Sequence, residues 1–297
     1  MEAVTSTNRN VSMVVIVGPT ASGKSQAALD VARRFEGEII CADSRTVYKS
    51  MDIGTAKPTL VERGEIPHHL IDIIEPSESF SVAAFQHLAL EACEDIRSRG
   101  RLPIVVGGSG LYIDSLLYNY QFLDNPNTEI RQELSTMSVT ELQNIIAERN
   151  LDPPVNYKNH RHLSRVIETN GQKGSKSEIN QDTIIVGINP GLEVIKQRIA
   201  LRANEMLEQG LVKEVSSLVH KFTWESPGLQ STSYKAFRQH LERGASIEDA
   251  TEQFIRNDYQ LARRQLTWFR RNKSIHWTNE QSETVDFVTT FLNKKQW

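Results

Sequence analysis

Residues 13–25 read MVVIVGPTASGKS and carry the strongest indication of the fold in this chain. Residues 13–17 are apolar and mostly β-branched, which predicts a short strand buried on both faces. The following residues, Gly18 to Ser25, match the pattern G-x-x-x-x-G-K-[ST], and residues 25–35 read as a helix. A strand, this loop and a helix in that order form the context in which the pattern binds phosphate groups.

The residue types of this loop have direct physical reasons. Gly18 and Gly23 let the backbone curl so that successive N–H groups point at one anion, and the helix N-terminus adds partial positive charge. Lys24 supplies a mobile full charge, and Ser25 supplies a hydroxyl ligand for Mg²⁺. The pattern predicts binding of a di- or triphosphate such as ATP, and it does not say whether phosphate is transferred. The predicted phosphate-binding residues are Gly18, Pro19, Thr20, Ala21, Ser22, Gly23, Lys24 and Ser25.

Short apolar runs and helical patterns continue to alternate along the chain, which indicates an α/β fold with a parallel sheet and helices on both faces. Residues 123–182 lack a clear strand pattern and are broken into short helices by turn residues. We therefore predict a P-loop NTPase-like core at 1–122 and 183–297, with a small helical insertion at 123–182. Further strands are predicted at 38–41, 69–74, 104–106 and 183–189.

The chain has 297 residues, with 34 Lys and Arg against 37 Asp and Glu, a formal net charge of −3. This balance argues against a protein that coats nucleic acid through bulk charge, but it allows a local basic surface. Basic residues gather at 156–176 and 256–273. These two segments fit solvated helix faces and an RNA-backbone surface equally well.

Cysteine content and hydropathy point to a cytoplasmic location. Cys41 and Cys93 are expected to be buried free thiols in a reducing compartment. The N-terminal residues lack an apolar signal core, and no apolar run approaches the ~20 residues that a membrane helix needs. We therefore predict a cytoplasmic protein with no membrane partner.

Asp43 directly follows the predicted strand at 38–41. Ligands of open parallel sheets collect at the carboxyl ends of the strands, so Asp43 should lie near the phosphate loop. A carboxylate there can bind Mg²⁺ or accept a proton, and the alternative is that it only caps a turn. Asp72 is the other acid that could hold Mg²⁺. A second glycine loop at 107–110 contains Ser109, and it fits a ligand contact or a tight turn equally well.

Several motifs in order resemble those of the bacterial tRNA dimethylallyltransferases. The similarity runs from about Val14 to Trp277, nearly the whole chain. The motifs are GPTASGKS from Gly18, DSRTVY from Asp43, MDIGTAKP from Met51, PHHLID from Pro67, GGSGLYI from Gly107 and RQLTWFR from Arg264.

The resemblance implies an enzyme that transfers the dimethylallyl group of dimethylallyl diphosphate to N6 of adenosine 37 in tRNA. The phosphate loop would then hold the diphosphate of this donor rather than ATP, with Lys24, Ser25 and Mg²⁺ stabilising the leaving group. Asp43 would act as general base, and Ser109 stands where the family commonly has Thr. Lys235 lies where a basic residue is expected to contact the diphosphate.

The resemblance also implies a partner, the anticodon stem-loop of tRNA, and we expect a monomer. Thr46 stands where the family usually has Gln, His162 replaces a frequent Arg, and residues 258–260 replace a more usual Thr-Arg-Gln, which could alter an RNA contact. The expected tRNA-binding residues are Asp43, Ser44, Arg45, Thr46, Ser109, Arg131, Arg161, His162, Arg165, Arg263, Arg264 and Gln265.

Three other functions fit parts of the pattern. A related adenylate prenyltransferase would modify free nucleotide, although the basic insertion favours tRNA. A P-loop small-molecule kinase would need ATP and no prenyl donor. A non-catalytic, GTPase-like RNA-binding module would keep its function without Asp43.

Overall fold

A computed structural model describes residues 13–123 and 128–294, which divide into two compact units. The large unit holds the described residues up to Leu117 and from Ile179 onward, and the small unit is Tyr118–Glu178. The strands are β1 Met13–Val17, β2 Gly37–Cys41, β3 His68–His69, β4 Leu102–Gly107, β5 Thr183–Ile188 and β6 His276–Thr278. The helices of the large unit are α1 Lys24–Phe35, α2 Leu60–Glu65, α3 Val82–Ser98, α4 Gly110–Leu117, α8 Leu192–Glu208, α9 Leu211–Lys221, α10 Thr232–Ala236, α11 Arg238–Arg243, α12 Ile247–Phe269 and α13 Gln281–Lys294. Those of the small unit are α5 Thr128–Thr136, α6 Val139–Glu148 and α7 His160–Glu168.

The six strands form one sheet in the order β3-β2-β4-β1-β5-β6, and every pairing is parallel. In the central strand β1, Val15 lies opposite Val105 on one side and Ile185 on the other. Parallel neighbours place the carboxyl ends of these strands at one edge. The prediction of a parallel α/β core is confirmed.

Both faces of the central strands are covered, which is why their sequences are continuously apolar. Val14 and Ile16 of β1 pack in one cluster with Ala28 of α1 and Val288 of α13. Val15 points to the opposite face, because successive side chains of a strand alternate, and it is also fully buried.

The predicted strand at 69–74 is wrong for most of its length, because only His68 and His69 pair with β2. Leu70 and Asp72 have positive φ angles of 63° and 56°, which break an extended strand. The N–H groups of Asp72 and Ile73 donate to the carbonyls of Thr46 and Val47 instead of continuing the pairing with β2. The carboxylate of Asp72 accepts hydrogen bonds from Lys57 and Arg63, each at 2.6 Å.

Within the small unit, three helices surround an apolar cluster that includes Leu142, Ile146 and Leu163. Ser138 caps α6, and Asn159 caps α7 through its side-chain oxygen. No run of paired strand residues occurs in the described part of this unit, which has only an isolated bridge between Gln121 and Ser175. The assignment of 123–182 as an RNA-binding domain stays a prediction.

Cys41 and Cys93 are both buried and free, which confirms the sequence prediction. Burial raises the pKa of each thiol to about 12. Among the described residues, no helix is both long enough and apolar enough to span a lipid bilayer.

Candidate active site

The phosphate loop curls between β1 and α1. Ala21 and Gly23 have left-handed φ angles of 61° and 98°, and the Ser22 N–H donates to the Pro19 carbonyl at 3.2 Å. A Cβ on Gly18 would lie 2.7 Å from Ser22 Oγ and 2.8 Å from the carbonyl oxygen of Ile188, so only glycine fits there. The N-terminus of α1 has no side-chain cap, which leaves its dipole to an anionic ligand.

Lys24 is the mobile charge of this site. Burial lowers the pKa of its ammonium to about 8, opposed by the negative charge of Asp43 and assisted by the positive charge of Arg202. Its Nζ donates to the Pro19 carbonyl at 3.2 Å. An anion bound at the loop would supply the charge partner that this buried ammonium lacks. Ser25, the next residue, is exposed.

Two arginines of α8 hold the loop, and the sequence reasoning missed both. Arg202 Nη2 donates to Thr20 Oγ1 and to Asp258 Oδ2, each at 2.7 Å. Arg198 Nη1 donates to the carbonyl of Ser22 at 3.0 Å. The two lie four residues apart on the helix after β5, and this spacing could have predicted a shared helix face at the carboxyl edge of the sheet.

The sequence predicts that Asp258, as part of a departure from the family motif, alters an RNA contact. The structure places Asp258 elsewhere. Its side chain is 6% exposed and is paired with Arg202. Its second carboxylate oxygen accepts the hydroxyl of Thr232. This acid therefore belongs to the wall of the phosphate site rather than to the exposed face of α12.

Gln265 of α12 connects the two glycine loops. Its Oε1 accepts from the Thr20 N–H at 2.8 Å, and its Nε2 donates to the carbonyl of Gly108 at 3.0 Å. One turn further, Trp268 Nε1 donates to Asp114 Oδ2 at 2.8 Å. Gln265 was predicted to bind RNA, but both the oxygen and the nitrogen of its side-chain amide hydrogen-bond to the two glycine loops.

Asp43 and Ser109 organise the turn after β2. Asp43 Oδ1 accepts from the N–H of Arg45 at 2.8 Å, and Ser109 Oγ accepts from the N–H of Ser44 at 3.1 Å. A Cβ on Gly107 would lie 2.0 Å from the carbonyl oxygen of Ala42, so the second glycine loop approaches this turn too closely for any side chain. Asp43 therefore holds its turn, and it also lines the cleft described next.

One cleft of about 1150 Å³, a volume that includes solvent at its mouth, collects residues of the phosphate loop, Asp43, Arg202, Asp258 and Gln265. Ser109 lies behind Asp43 in the turn and is not among the lining residues of this cleft. The polar wall of the cleft includes Thr20, Lys24, Ser25, Asp43, Arg45, Thr46, Arg202, Asp258 and Gln265, and its apolar wall includes Leu29, Ile39, Cys41, Val106 and Met206. Lys235 is exposed and is not part of this lining, whereas Thr232 and Ser233 beside it are. Arg263 and Arg264 are exposed on α12 and border a separate surface groove.

The segment after Met51 forms another wall of the cleft, and contacts on its side away from the cleft hold it in place. The carboxylate of Glu214 accepts the N–H groups of Asp52, Ile53 and Gly54 at 2.8–2.9 Å. Tyr234 donates its hydroxyl to the same carboxylate at 2.6 Å. These contacts give the MDIGTAKP motif a structural role that its sequence does not reveal.

The oxygen donors of the cleft fit a magnesium ion bound mainly through a ligand's phosphates. Mg²⁺ keeps several waters and uses one or two protein oxygens, such as the hydroxyl of Ser25 or the carboxylate of Asp43. No group of three or more His, Cys, Asp and Glu with metal-ligand spacing occurs in the described residues. Asp72 is occupied by Lys57 and Arg63 and does not line the cleft.

The predicted RNA-binding residues of the small unit lie on or near α7. Arg131 and Arg165 lie 3.1 and 3.5 Å from the carboxylate of Glu168. Arg161 and His162, in the first turn of α7, are exposed. Arg131 and Arg165 therefore share one buried acid, whereas Arg161 and His162 are exposed at the other end of α7.

A parallel sheet with a strand–phosphate loop–helix unit at its carboxyl edge defines a P-loop α/β protein that binds a phosphorylated ligand. The family model described as IPP transferase matches residues 46–272. The chain belongs to this IPP transferase family.

Relatives with curated names support this membership. The chain is 38% identical over 287 residues to a tRNA dimethylallyltransferase of Anoxybacillus flavithermus, covering 92% of each. It is 37% identical over 306 residues to one of Staphylococcus epidermidis, covering 95% of this chain and 92% of the relative.

Solved structures of related proteins share the fold. A tRNA isopentenylpyrophosphate transferase of Bacillus halodurans is 34% identical with a TM-score of 0.73, over 96% of this chain and 97% of that one. A eukaryotic dimethylallyltransferase acting on tRNA is 25% identical with a TM-score of 0.77, over 95% of this chain and 79% of that one.

Proposed function

We propose that this protein transfers the dimethylallyl group of dimethylallyl diphosphate to N6 of adenosine 37 in tRNA, giving N6-dimethylallyladenosine and diphosphate. The observation that carries the proposal is one cleft that joins a phosphate loop, an acid across from it and an apolar wall, in a chain whose relatives are named tRNA dimethylallyltransferases. The phosphate loop can bind the diphosphate, Asp43 can accept a proton, and the apolar wall can hold the five-carbon group.

The phosphate loop promotes departure of the diphosphate. As the bond between the allylic carbon and oxygen breaks, negative charge accumulates on the diphosphate. Lys24 and Arg202 already lie at the loop, where Arg202 donates to Thr20, so the positive charge that stabilises the leaving group is in place before the reaction. Mg²⁺, held by Ser25 and phosphate oxygens, would add further neutralisation when bound.

The allylic carbon is attacked by a weak nucleophile, since the lone pair of the adenine amine is delocalised into the ring. Asp43 accepts the proton of this amine as the new nitrogen–carbon bond forms. Ser109 accepts a bond from Ser44, and its hydroxyl proton is still able to be donated to the base. Leu29, Ile39 and Val106 shield the reacting carbon from water, which would otherwise compete.

The acceptor base must leave its stack to reach such a cleft, which favours an unpaired loop over a duplex. The anticodon stem-loop, with adenosine 37 beside the anticodon, meets this need. The other expected RNA contacts are the exposed Arg263 and Arg264, together with Arg131, Arg161, His162 and Arg165 of the small unit. The chemistry needs residues of one chain only, so we expect an active monomer in sedimentation velocity.

The deciding experiment offers labelled dimethylallyl diphosphate with either an anticodon stem-loop or AMP. We expect label in the RNA, and mass spectrometry of the digested RNA should show N6-dimethylallyladenosine. Label in AMP without label in RNA would instead establish the adenylate prenyltransferase. Phosphate transfer from ATP in the absence of a prenyl donor would overturn the proposal in favour of a kinase.

A further inference from the structure

The small unit contains an open groove that the proposed chemistry does not use, with a volume of about 580 Å³ including the solvent at its open side. Its lining includes two aromatic residues, Tyr120 and Phe122, and two cationic ones, Arg165 and Lys176, with Gly174 and Ser175 between them. We refer to this site, which is formed by residues of the small unit alone, as the aromatic groove.

The aromatic rings of this region form a short stepped series. Tyr118 and Tyr120 stack with ring centroids 6.3 Å apart and planes at 26°, and Phe122 meets Tyr120 edge-on at 6.0 Å. The Lys176 ammonium lies 4.8 Å from the centroid of the Tyr118 ring. Phe122, the last ring of the series, is 37% exposed, so part of its ring is open to a ligand in the groove.

The backbone builds this groove in advance of any ligand. The N–H of Gln121 donates to the carbonyl of Ser175 at 2.9 Å, and the N–H of Ser177 donates to the carbonyl of Tyr118 at 2.7 Å. A Cβ on Gly174 would lie 2.3 Å from the carbonyl oxygen of Gln121, so glycine permits the close approach of the two segments. A groove fixed in this way requires little ordering when it binds.

The charges of the groove favour an anion. Arg165 and Lys176 line it directly. The nearest acid to Arg165 is Glu168 at 3.5 Å, whose carboxylate is 5% exposed and is shared with Arg131. Cations therefore face the solvent while their counter-charge is buried.

We propose that the aromatic groove binds an unpaired nucleotide of the RNA substrate. Its base stacks on Phe122 and Tyr120, and its phosphate lies against Arg165 and Lys176. Flat apolar rings and adjacent cations are the pair of features that recognise single-stranded nucleotides. The proposal rests on the proposed function for its RNA partner, and it adds a base-stacking contact to the RNA contact already expected of Arg165.

The test is equilibrium binding of a fluorescent anticodon stem-loop without a prenyl donor. Phe122→Ala should weaken binding by about five- to a hundredfold, the range for loss of one stacked base. Phe122→Leu keeps apolar bulk and should also weaken binding, whereas Phe122→Trp keeps a stacking ring and should retain it. Tyr157→Ala is the matched control, because Tyr157 is an exposed aromatic residue of the same unit outside the groove.

Salt and RNA structure separate stacking from simple charge attraction. The factor lost in Phe122→Ala should stay the same between low and high salt, whereas the factor lost in Lys176→Ala should shrink as salt rises. A blunt duplex of equal length should bind wild type and Phe122→Ala alike. Unchanged stem-loop binding in Phe122→Ala, or an equal loss for stem-loop and duplex, would refute the groove assignment.

The two proposals fail in different ways. If wild type binds and prenylates the stem-loop while Phe122→Ala binds it equally well, only the aromatic groove is wrong. If wild type prenylates no RNA at all, the proposed function is wrong. Thermal unfolding of each variant shows whether the fold is intact at the assay temperature, since Phe122 is only 37% exposed and its truncation removes some packing.

Discussion

Replacing Lys24 with Met should stabilise the unliganded protein while it stops turnover. Burial lowers the pKa of the Lys24 ammonium from 10.5 to about 8. At ~1.4 kcal/mol for each pH unit of displacement, keeping this ammonium charged in the folded protein costs about 3 kcal/mol at neutral pH. Solvent still reaches part of the side chain, and the substitution also removes the bond to Pro19, so we expect a net gain of about 1–2 kcal/mol.

The sign of the pH dependence follows from the lowered pKa. Below pH 8, Lys24 is protonated in both the folded and the unfolded chain, and wild type carries the full penalty. Between pH 8 and 10.5, only the unfolded chain keeps the proton, so the stability of wild type rises relative to that of Lys24→Met. The advantage of the variant is therefore largest near pH 7 and disappears toward pH 10.5.

Urea unfolding at pH 7, 9 and 10 measures this difference. Lys196→Met is the matched control, because Lys196 is exposed on α8 and its loss should change stability by less than ~0.5 kcal/mol. Added inorganic diphosphate should stabilise wild type more than Lys24→Met, since it restores the missing charge partner. If Lys24→Met is less stable than wild type at pH 7, or if its advantage grows with pH, the Lys24 ammonium does not destabilise the unliganded fold.

Three further substitutions test other parts of the site. Asp43→Asn keeps an oxygen for the Arg45 N–H but loses the base, so turnover with labelled donor should fall by at least ~100-fold while RNA binding in a filter assay is retained; equal loss of binding would contradict a role as base. The kcat/KM for the prenyl donor should fall above pH 8, because Lys24 loses its proton there. The charge of Asp258 raises the pKa of Lys24, so in Asp258→Asn this fall should occur at lower pH. An unchanged pH profile in Asp258→Asn would argue against this coupling. Gly107→Ala should lower the free energy of unfolding by several kcal/mol, roughly 2–4, because its Cβ would lie 2.0 Å from a backbone oxygen; an unchanged urea midpoint would show that the turn is not rigid.

The central sheet was predictable because its signals are local. An apolar run such as residues 13–17 has to be buried on both faces, and the glycines of the following loop demand a tight turn, so strand, loop and helix follow from adjacent residues. The segment at 69–74 is also largely apolar, but its backbone turns at Leu70 and Asp72 and bonds to residues 46–47 instead of continuing along β2. These turns leave no periodic trace in the sequence, so the extended strand predicted there is wrong.

Part of the site could not be predicted from the sequence, because its contacts join residues that are not neighbours in the chain. Asp43 follows a strand, and its position at the carboxyl edge could be inferred from topology alone. Arg202 and Asp258 lie on two helices far apart in the chain, and their ion pair forms only once the helices pack. Composition alone predicts that an acid in a basic helix, such as Asp258, lies on the surface.

Helix α12 shows how periodicity could have sharpened the sequence reasoning. Arg264 and Gln265 are neighbours in one motif and were both expected to contact RNA. Successive residues of a helix are ~100° apart, so the two side chains leave the helix in different directions. Gln265 falls on the side of the buried Asp258 and Ala262 and connects both glycine loops, whereas Arg264 is exposed. One face of α12 thus fixes the catalytic cleft, and the other carries the positive charge that the net balance of −3 conceals.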